Sequence, residues 1–356
     1  MNEISSNGTA SAVCADIADG ATLLELGKAW LKQGNPAVAA ELFESAMRSP
    51  AAGDSVRLRA QVLKEIGRAK MMESDWAQAE AYHLQAQRLF ADMRDTKGAA
   101  ECARNRANAL FQAGKFIQAE ELCRQALDWA SSAKDYELRA TIFNTIGAIT
   151  SVQGRNREAV TTFRLCLADF QTSGNVIRQG YVLLNIGLSE TELGHHAQAH
   201  DALNQALNIA LREQDQHLVE ICYQNIAKCY LAQHEAQLAK SVVDSARRIL
   251  PGLNSRALEL ELEFIEARIA RALGDLDSAG RMLRDALPAA CEAKLTSLAA
   301  DLLLEQARLA AESGDVKLAV QRARRAQEQY RIIGATRGEA EATVFLTEMG
   351  EPVLAH

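Results

Sequence analysis

One feature constrains the fold more than any other: the chain repeats itself every 40 residues. Stepping by 40 from Gly27 meets Gly27, Gly67, Ala107, Gly147, Gly187, Ala227, Ala267 and Ala307. Stepping from Ala39 meets Ala eight times, at 39, 79, 119, 159, 199, 239, 279 and 319. A third series is Ala46, Ala86, Ala126, Cys166, Ala206, Ala246, Ala286 and Ala326. Repeats of this length mean stacked supersecondary units that bury a continuous core between neighbours. Eight units of 40 span 20–339.

Each unit reads as two helices. A punctuation series (Gly34, Ser74, Gly114, Gly154, Gly194, His234, Gly274, Gly314) marks the turn between them. Gly suits a helix C-terminus because the chain there turns left-handed. Ser55, Asp95, Asp135, Asn175, Asp215 and Ser255 fall where the next unit's helix starts, and are N-cap residues by type. Leu295 and Ala335 stand at that register in the last units and cannot cap in this way. Leu258 to Phe264 alternates like a strand, but its Leu and Glu are helix formers in helical register, so a helix is expected. Pro288 falls inside a second helix and predicts a kink. Composition agrees with an all-helical chain: 5 Pro, and only 9 Phe, 6 Tyr and 3 Trp among 356 residues.

A small residue late in the first helix, a Gly turn, and Ala-x3-large-x2-Ala in the second resemble the tetratricopeptide repeat (TPR). The second half reads Ala39-Phe43-Ala46, Ala119-Cys123-Ala126, Ala159-Phe163-Cys166 and Ala199-Leu203-Ala206. Ala79-His83-Ala86 and Ala319-Ala323-Ala326 depart at the middle position. The 40-residue period is similar to the longer class of kinesin light chain, Pins-type adaptors and peptide-sensing regulators of Gram-positive bacteria. The resemblance implies an all-α fold, a right-handed α-solenoid of eight helix pairs with a C-terminal capping helix at about 337–349. Residues 1–19 are expected as a flexible polar tail, 20–339 as the array, and 340–356 as the end of the capping helix and a short tail.

The resemblance also implies that first helices line a concave groove. One position after the small residue stand Lys28, Arg68, Asn108, Ala148, Leu188, Lys228, Arg268 and Arg308. Three positions earlier stand Glu25, Glu65, Asn105, Thr145, Asn185, Asn225, Ile265 and Glu305. Asn can pair with an extended peptide backbone as donor and acceptor at once. The expected partner-binding set is therefore Asn105, Asn108, Asn144, Asn185 and Asn225, flanked by Arg68, Arg104, Lys228, Arg268 and Arg308. The Glu–Lys and Glu–Arg pairs read equally as i,i+3 helix support. Arg104, Asn108 and Asn185 partly resemble the family's carboxylate clamp, but Thr145 and Tyr181 stand where it wants Asn and Lys.

Net charge is −7, which disfavours a general nucleic-acid face. No stretch is apolar enough to span a membrane, and the N-terminus has no signal-peptide character. Seven Cys without a paired framework read as reduced, buried thiols in a cytoplasmic protein. His196 and His200 share an i,i+4 face but lack further ligands, so no metal and no cofactor are expected. Glu259, Glu261, Glu263 and Glu266 read as a solvated acidic face, and Arg322, Arg324, Arg325 and Arg331 as a basic stretch able to meet an acidic partner. No catalytic motif appears. The function expected is a non-catalytic scaffold or adaptor that captures a protein or peptide in the groove of units three to six. The alternative is a sensor whose groove ligand controls a bound effector enzyme or transcription regulator.

Overall fold

The computed structural model describes residues 19–249 and 255–350. Residues 1–18 of the expected N-terminal tail, Cys14 among them, and 351–356 lie outside them, while Asp19 caps the first helix. The described residues form an all-α solenoid. Its helices are α1 (Gly20–Lys32), α2 (Pro36–Arg48), the single-turn α3 (Pro50–Asp54), α4 (Val56–Met72), α5 (Trp76–Asp92), α6 (Thr96–Gln112), α7 (Phe116–Ser132) and α8 (Tyr136–Val152). There follow α9 (Asn156–Ser173), α10 (Val176–Glu192), α11 (His196–Arg212), α12 (Gln216–Ala232), α13 (Ala236–Ile249), α14 (Arg256–Ala272), α15 (Leu276–Glu292), α16 (Thr296–Glu312), α17 (Val316–Ile332) and α18 (Thr336–Glu348). The chain divides into two compact units, Met1–Thr145 and Ile146–His356, with the boundary inside α8.

Local chemistry sets these elements. All eight punctuation residues have positive φ, from 60° at Ser74 to 85° at Gly274. Ser74 and His234 hold this left-handed turn without glycine. Ser55, Asp95, Asp135, Asn175, Asp215 and Ser255 each accept the backbone N–H three residues on, at 2.9 to 3.5 Å. Leu295 and Ala335 make no side-chain cap. The alternating segment is helical within α14, and α15 runs unbroken past Pro288.

The small-residue series is explained by what faces it, 16 residues on. A Cβ on Gly27 would lie 2.3 Å from the Phe43 ring, on Gly67 2.6 Å from His83, on Gly147 2.4 Å from Phe163 and on Gly187 2.6 Å from Leu203. Where the small residue is Ala, the facing residue is Cys123, Val243, Leu283 or Ala323. The three rings of this series, Phe43, His83 and Phe163, all face Gly, where the absent Cβ leaves them room.

Within each unit, first helices pack on the first helices of neighbouring repeats: α1 on α4 and α4 on α6, then α10 on α12, α12 on α14 and α14 on α16. Second helices of neighbouring repeats make no packing of that extent. The first helices therefore form the inner side of each stack.

Candidate peptide-binding face

Burial identifies the inner face directly. In α4 the incompletely buried residues after the first turn are Gln61, Lys64, Arg68, Lys70, Met71 and Met72, and Gln61, Lys64, Arg68 and Met72 recur at helical spacing. The same registers in α6 give Glu101, Arg104, Asn108 and Gln112. In α10 three of them give Tyr181, Leu188 and Glu192, with half-buried Asn185 one position past the buried Leu184, and in α14 they give Glu261, Arg268 and Ala272.

In the unit ending at Thr145, Arg104 Nη2 donates to Asn105 Oδ1 at 2.7 Å, and Thr145 Oγ1 donates to Asn108 Oδ1 at 3.1 Å. Asn108 and Asn144 are half-buried, whereas Asn105 is only 9% exposed. Arg68, on the same register as Asn108, is exposed and paired with Glu65 at 2.6 Å. Lys64 and Glu101 join α4 to α6 at 2.6 Å. Arg104, Asn105 and Asn108 thus share α6, with Asn144 on the next first helix.

In the unit beginning at Ile146, Asn185 is half-buried. Asn225 is 5% exposed, and its Nδ2 donates to the Ile221 carbonyl of its own helix at 2.8 Å. Two positions before the small residue, Asn105, Asn225 and Glu305 are buried, whereas Asn185 at that register is half-buried, as are Asn108 and Lys228 one position after it. Lys228 pairs with Glu261 at 3.1 Å, and Arg268 stacks over Phe264 at 5.7 Å. Arg308 pairs with Glu305 at 3.1 Å and with Glu341 at 3.4 Å. Glu305 is fully buried. Burial raises its carboxyl, but Arg271, Arg268 and Arg308 outweigh that and hold it below the usual range.

Several groups escaped sequence reasoning. Arg271 joins Glu305 to Glu312, and Arg337 joins Glu341 to Glu192. Together with Arg308 they form a continuous ion network from α14 through α16 and α18 to α10. Thr336 Oγ1 also donates to the Val152 carbonyl at 3.4 Å, so the start of α18 meets the ends of α8 and α10. Tyr181 Oη lies 3.3 Å from both Asp215 Oδ2 and His217 Nδ1. Glu220 is buried where most repeats place Ala or Gly (Ala60, Ala100, Ala140, Gly180, Ala300). Its Oε1 accepts from Gln224 at 2.9 Å, its Oε2 has no partner, and burial pushes its pKa up to about 7.

Two expectations change. The acidic residues of α14 are not simply solvated: Glu259 and Glu263 pair with Arg256, Glu261 with Lys228 and Glu266 with Arg247. Nor are all thiols buried, because Cys291 near the end of α15 is exposed. His195 Nδ1 lies 2.8 Å from Glu190, and His200 packs on Tyr230 and hydrogen-bonds Gln233.

A family model described as a MalT-like TPR region matches residues 100–348. Among solved structures, the apo form of RapI is 14% identical, covers 93% of this chain and 87% of its own, and superposes with a TM-score of 0.66. A Rap protein complexed with competence and sporulation factor is 13% identical, over 93% of this chain and 97% of its own, at 0.62. The apo form of the quorum sensor NprR from B. thuringiensis is 12% identical, over 87% of each chain, at 0.66. At such identities the likeness is one of fold. No curated protein matches the chain.

Proposed function

The chain belongs to the family of MalT-like TPR regions, and on that premise we propose that it is a non-catalytic scaffold or adaptor that captures a protein or peptide on the inner face of its first helices. One observation carries the reading: the exposed or half-exposed register of that face holds a hydrogen-bonding side chain in six of eight repeats, at Lys28, Arg68, Asn108, Lys228, Arg268 and Arg308. In the first unit the contact residues are Arg104, Asn108 and Asn144, with Asn105 steadying Arg104 and Arg68 at the edge. In the second they are Asn185, Lys228, Arg268 and Arg308, with Asn225 supporting from within. Asn amides pair with an extended backbone, and the Lys and Arg groups exchange their present acid partners for acidic side chains of the ligand.

The neighbours in fold include a Rap protein complexed with a factor and a quorum sensor, which supports peptide recognition as the use of such a face. The alternative, a sensor, gains from the contact of α18 with the ends of α8 and α10. An occupant of the inner face would shift the balance between closed and open forms of that contact, and with it the hold on an effector.

The test is affinity capture from the native host, comparing the wild type with Arg104→Ala/Asn108→Ala/Asn144→Ala and with Asn185→Ala/Lys228→Ala. Either variant should lose partners that the wild type retains, with its helical circular dichroism intact. Unchanged partner lists from both variants would remove the proposal.

A further inference from the structure

A cleft of about 430 Å³ opens between α15, α16 and α17, away from the inner-face residues. Its origin is a missing side chain. Gly280 lies at its edge, at a register where other repeats carry Ala40, Glu80, Glu120, Val160, His200, Lys240 and Val320. In the second repeat that register is occupied by a bridge: Glu80 accepts from Arg106 Nη2 at 2.7 Å and Nε at 3.0 Å. Two hundred residues on, Gly280 replaces the acid and Gln306 replaces the arginine. Gln306 lines the cleft, and its buried Oε1 has no hydrogen-bond partner.

The walls carry charge of one predominant sign. Arg281, Arg284 and Arg322 line the cleft against Asp277 and Asp315. Asp315 is already engaged, accepting the Leu318 N–H as the cap of α17. Arg284 and Arg322 make no ion pair among the described residues. Leu309 adds an apolar wall. Finite size, a net charge near +1 and an apolar side describe a small-molecule site.

We propose that this cleft binds a small organic monocarboxylic acid. Arg284 and Arg322 hold the carboxylate, and Leu309 packs on the aliphatic body. The volume lies within the roughly 300–1,000 Å³ range of small-molecule sites. Guanidinium groups suit carboxylates because they present paired donors in one plane.

The test is calorimetric titration of the full chain at constant ionic strength with 2-hydroxyhexanoate, hexanoate and 1-hexanol. The expected result is saturable 1:1 binding of both acids and none of hexanol. Gly280→Leu refills the cleft, and its added Cβ meets only the tips of Arg284 and Leu309 at 3.4 Å, so the helix should tolerate it. That variant, and separately Arg284→Gln/Arg322→Gln, should weaken the acids by at least about tenfold with circular dichroism unchanged. Absence of saturation by either acid up to about 10 mM overturns the proposal, as does Gly280→Leu binding like wild type. If neither acid binds but Gly280→Leu loses a protein partner, the cleft is a protein-docking surface and the proposal also fails.

Discussion

His83 occupies a slot built for a ring without nitrogens, and replacing it should stabilise the protein. The side chain is 0% exposed, and neither ring nitrogen has a hydrogen-bond partner. An orphaned buried polar group costs about 1–3 kcal/mol. Phe43 and Phe163 fill the same register against Gly27 and Gly147, at 2.3 and 2.4 Å from a Cβ placed there, closer than the 2.6 Å of His83 to Gly67. The slot therefore accepts Phe, and overpacking, at about 1–3 kcal/mol in unfavourable cases, should not cancel the gain. We expect His83→Phe to gain about 2 kcal/mol at neutral pH.

The same residue supplies a pH signature. Burial first, then the positive charges of Arg104, Lys64, Arg68 and Arg106, push the His83 pKa down from 6.5 to about 3. In the unfolded chain the imidazole protonates near 6.5, while in the folded chain it stays neutral. Its contribution is therefore constant above pH 6.5 and is lost at about 1.4 kcal/mol per pH unit as pH falls toward 3. His83→Phe escapes that loss, so its advantage should widen by about 3 kcal/mol between pH 6.5 and pH 4.5. Repeat arrays need not unfold in one step. Hydrogen exchange of the α4 and α5 amides in both proteins, at pH 7 and after matched incubation at pH 4.5, gives the local free energy. An advantage that is absent at pH 7, or that fails to widen at pH 4.5, would refute the reasoning.

Three further outcomes follow from the structure. Gly27→Ala should cost about 1–3 kcal/mol, and adding Phe43→Leu should recover part of it, because Ala267 already faces Leu283; urea midpoints would show the rescue or its absence. Glu220→Gln should stabilise the chain at pH 8 and leave it unchanged below pH 4.5, because the raised pKa of about 7 makes the wild type lose stability as pH climbs from 4.5 to 7. Equal melting curves for both proteins at pH 8 would count against the buried, unmatched carboxylate. Asp215→Ala should remove about 1 kcal/mol by uncapping α12, seen as faster exchange confined to its first turn.

What the sequence disclosed, and what it hid, divides by range. Turns and caps were legible because a left-handed φ at Gly34 or a capping oxygen at Asp215 is a local demand on residue type. The inner face was legible to within one helical step. Asn105 and Arg104 are neighbours in sequence but about 100° apart around α6, and that rotation puts one between packed helices and the other toward the groove. Asn tolerates both environments, so residue type alone could not decide between them. The bond from Thr336 to Val152 joins residues 184 apart. No local pattern encodes a contact at that separation.

Repetition itself supplies the better detector. Each register of the array is sampled eight times in one chain, under one packing geometry, so every repeat is a control for the others. The pair 16 residues apart trades Gly–Phe for Ala–Cys or Ala–Leu without harm, which defines neutral variation. Three residues break their register in a way that packing does not reward. His83 places unmatched nitrogens where Phe fits, Glu220 buries a carboxyl where Ala fits, and Gly280 removes a side chain where others fill. His83 and Glu220 each leave a buried polar atom unpaired, so these are the positions where substitution should gain stability.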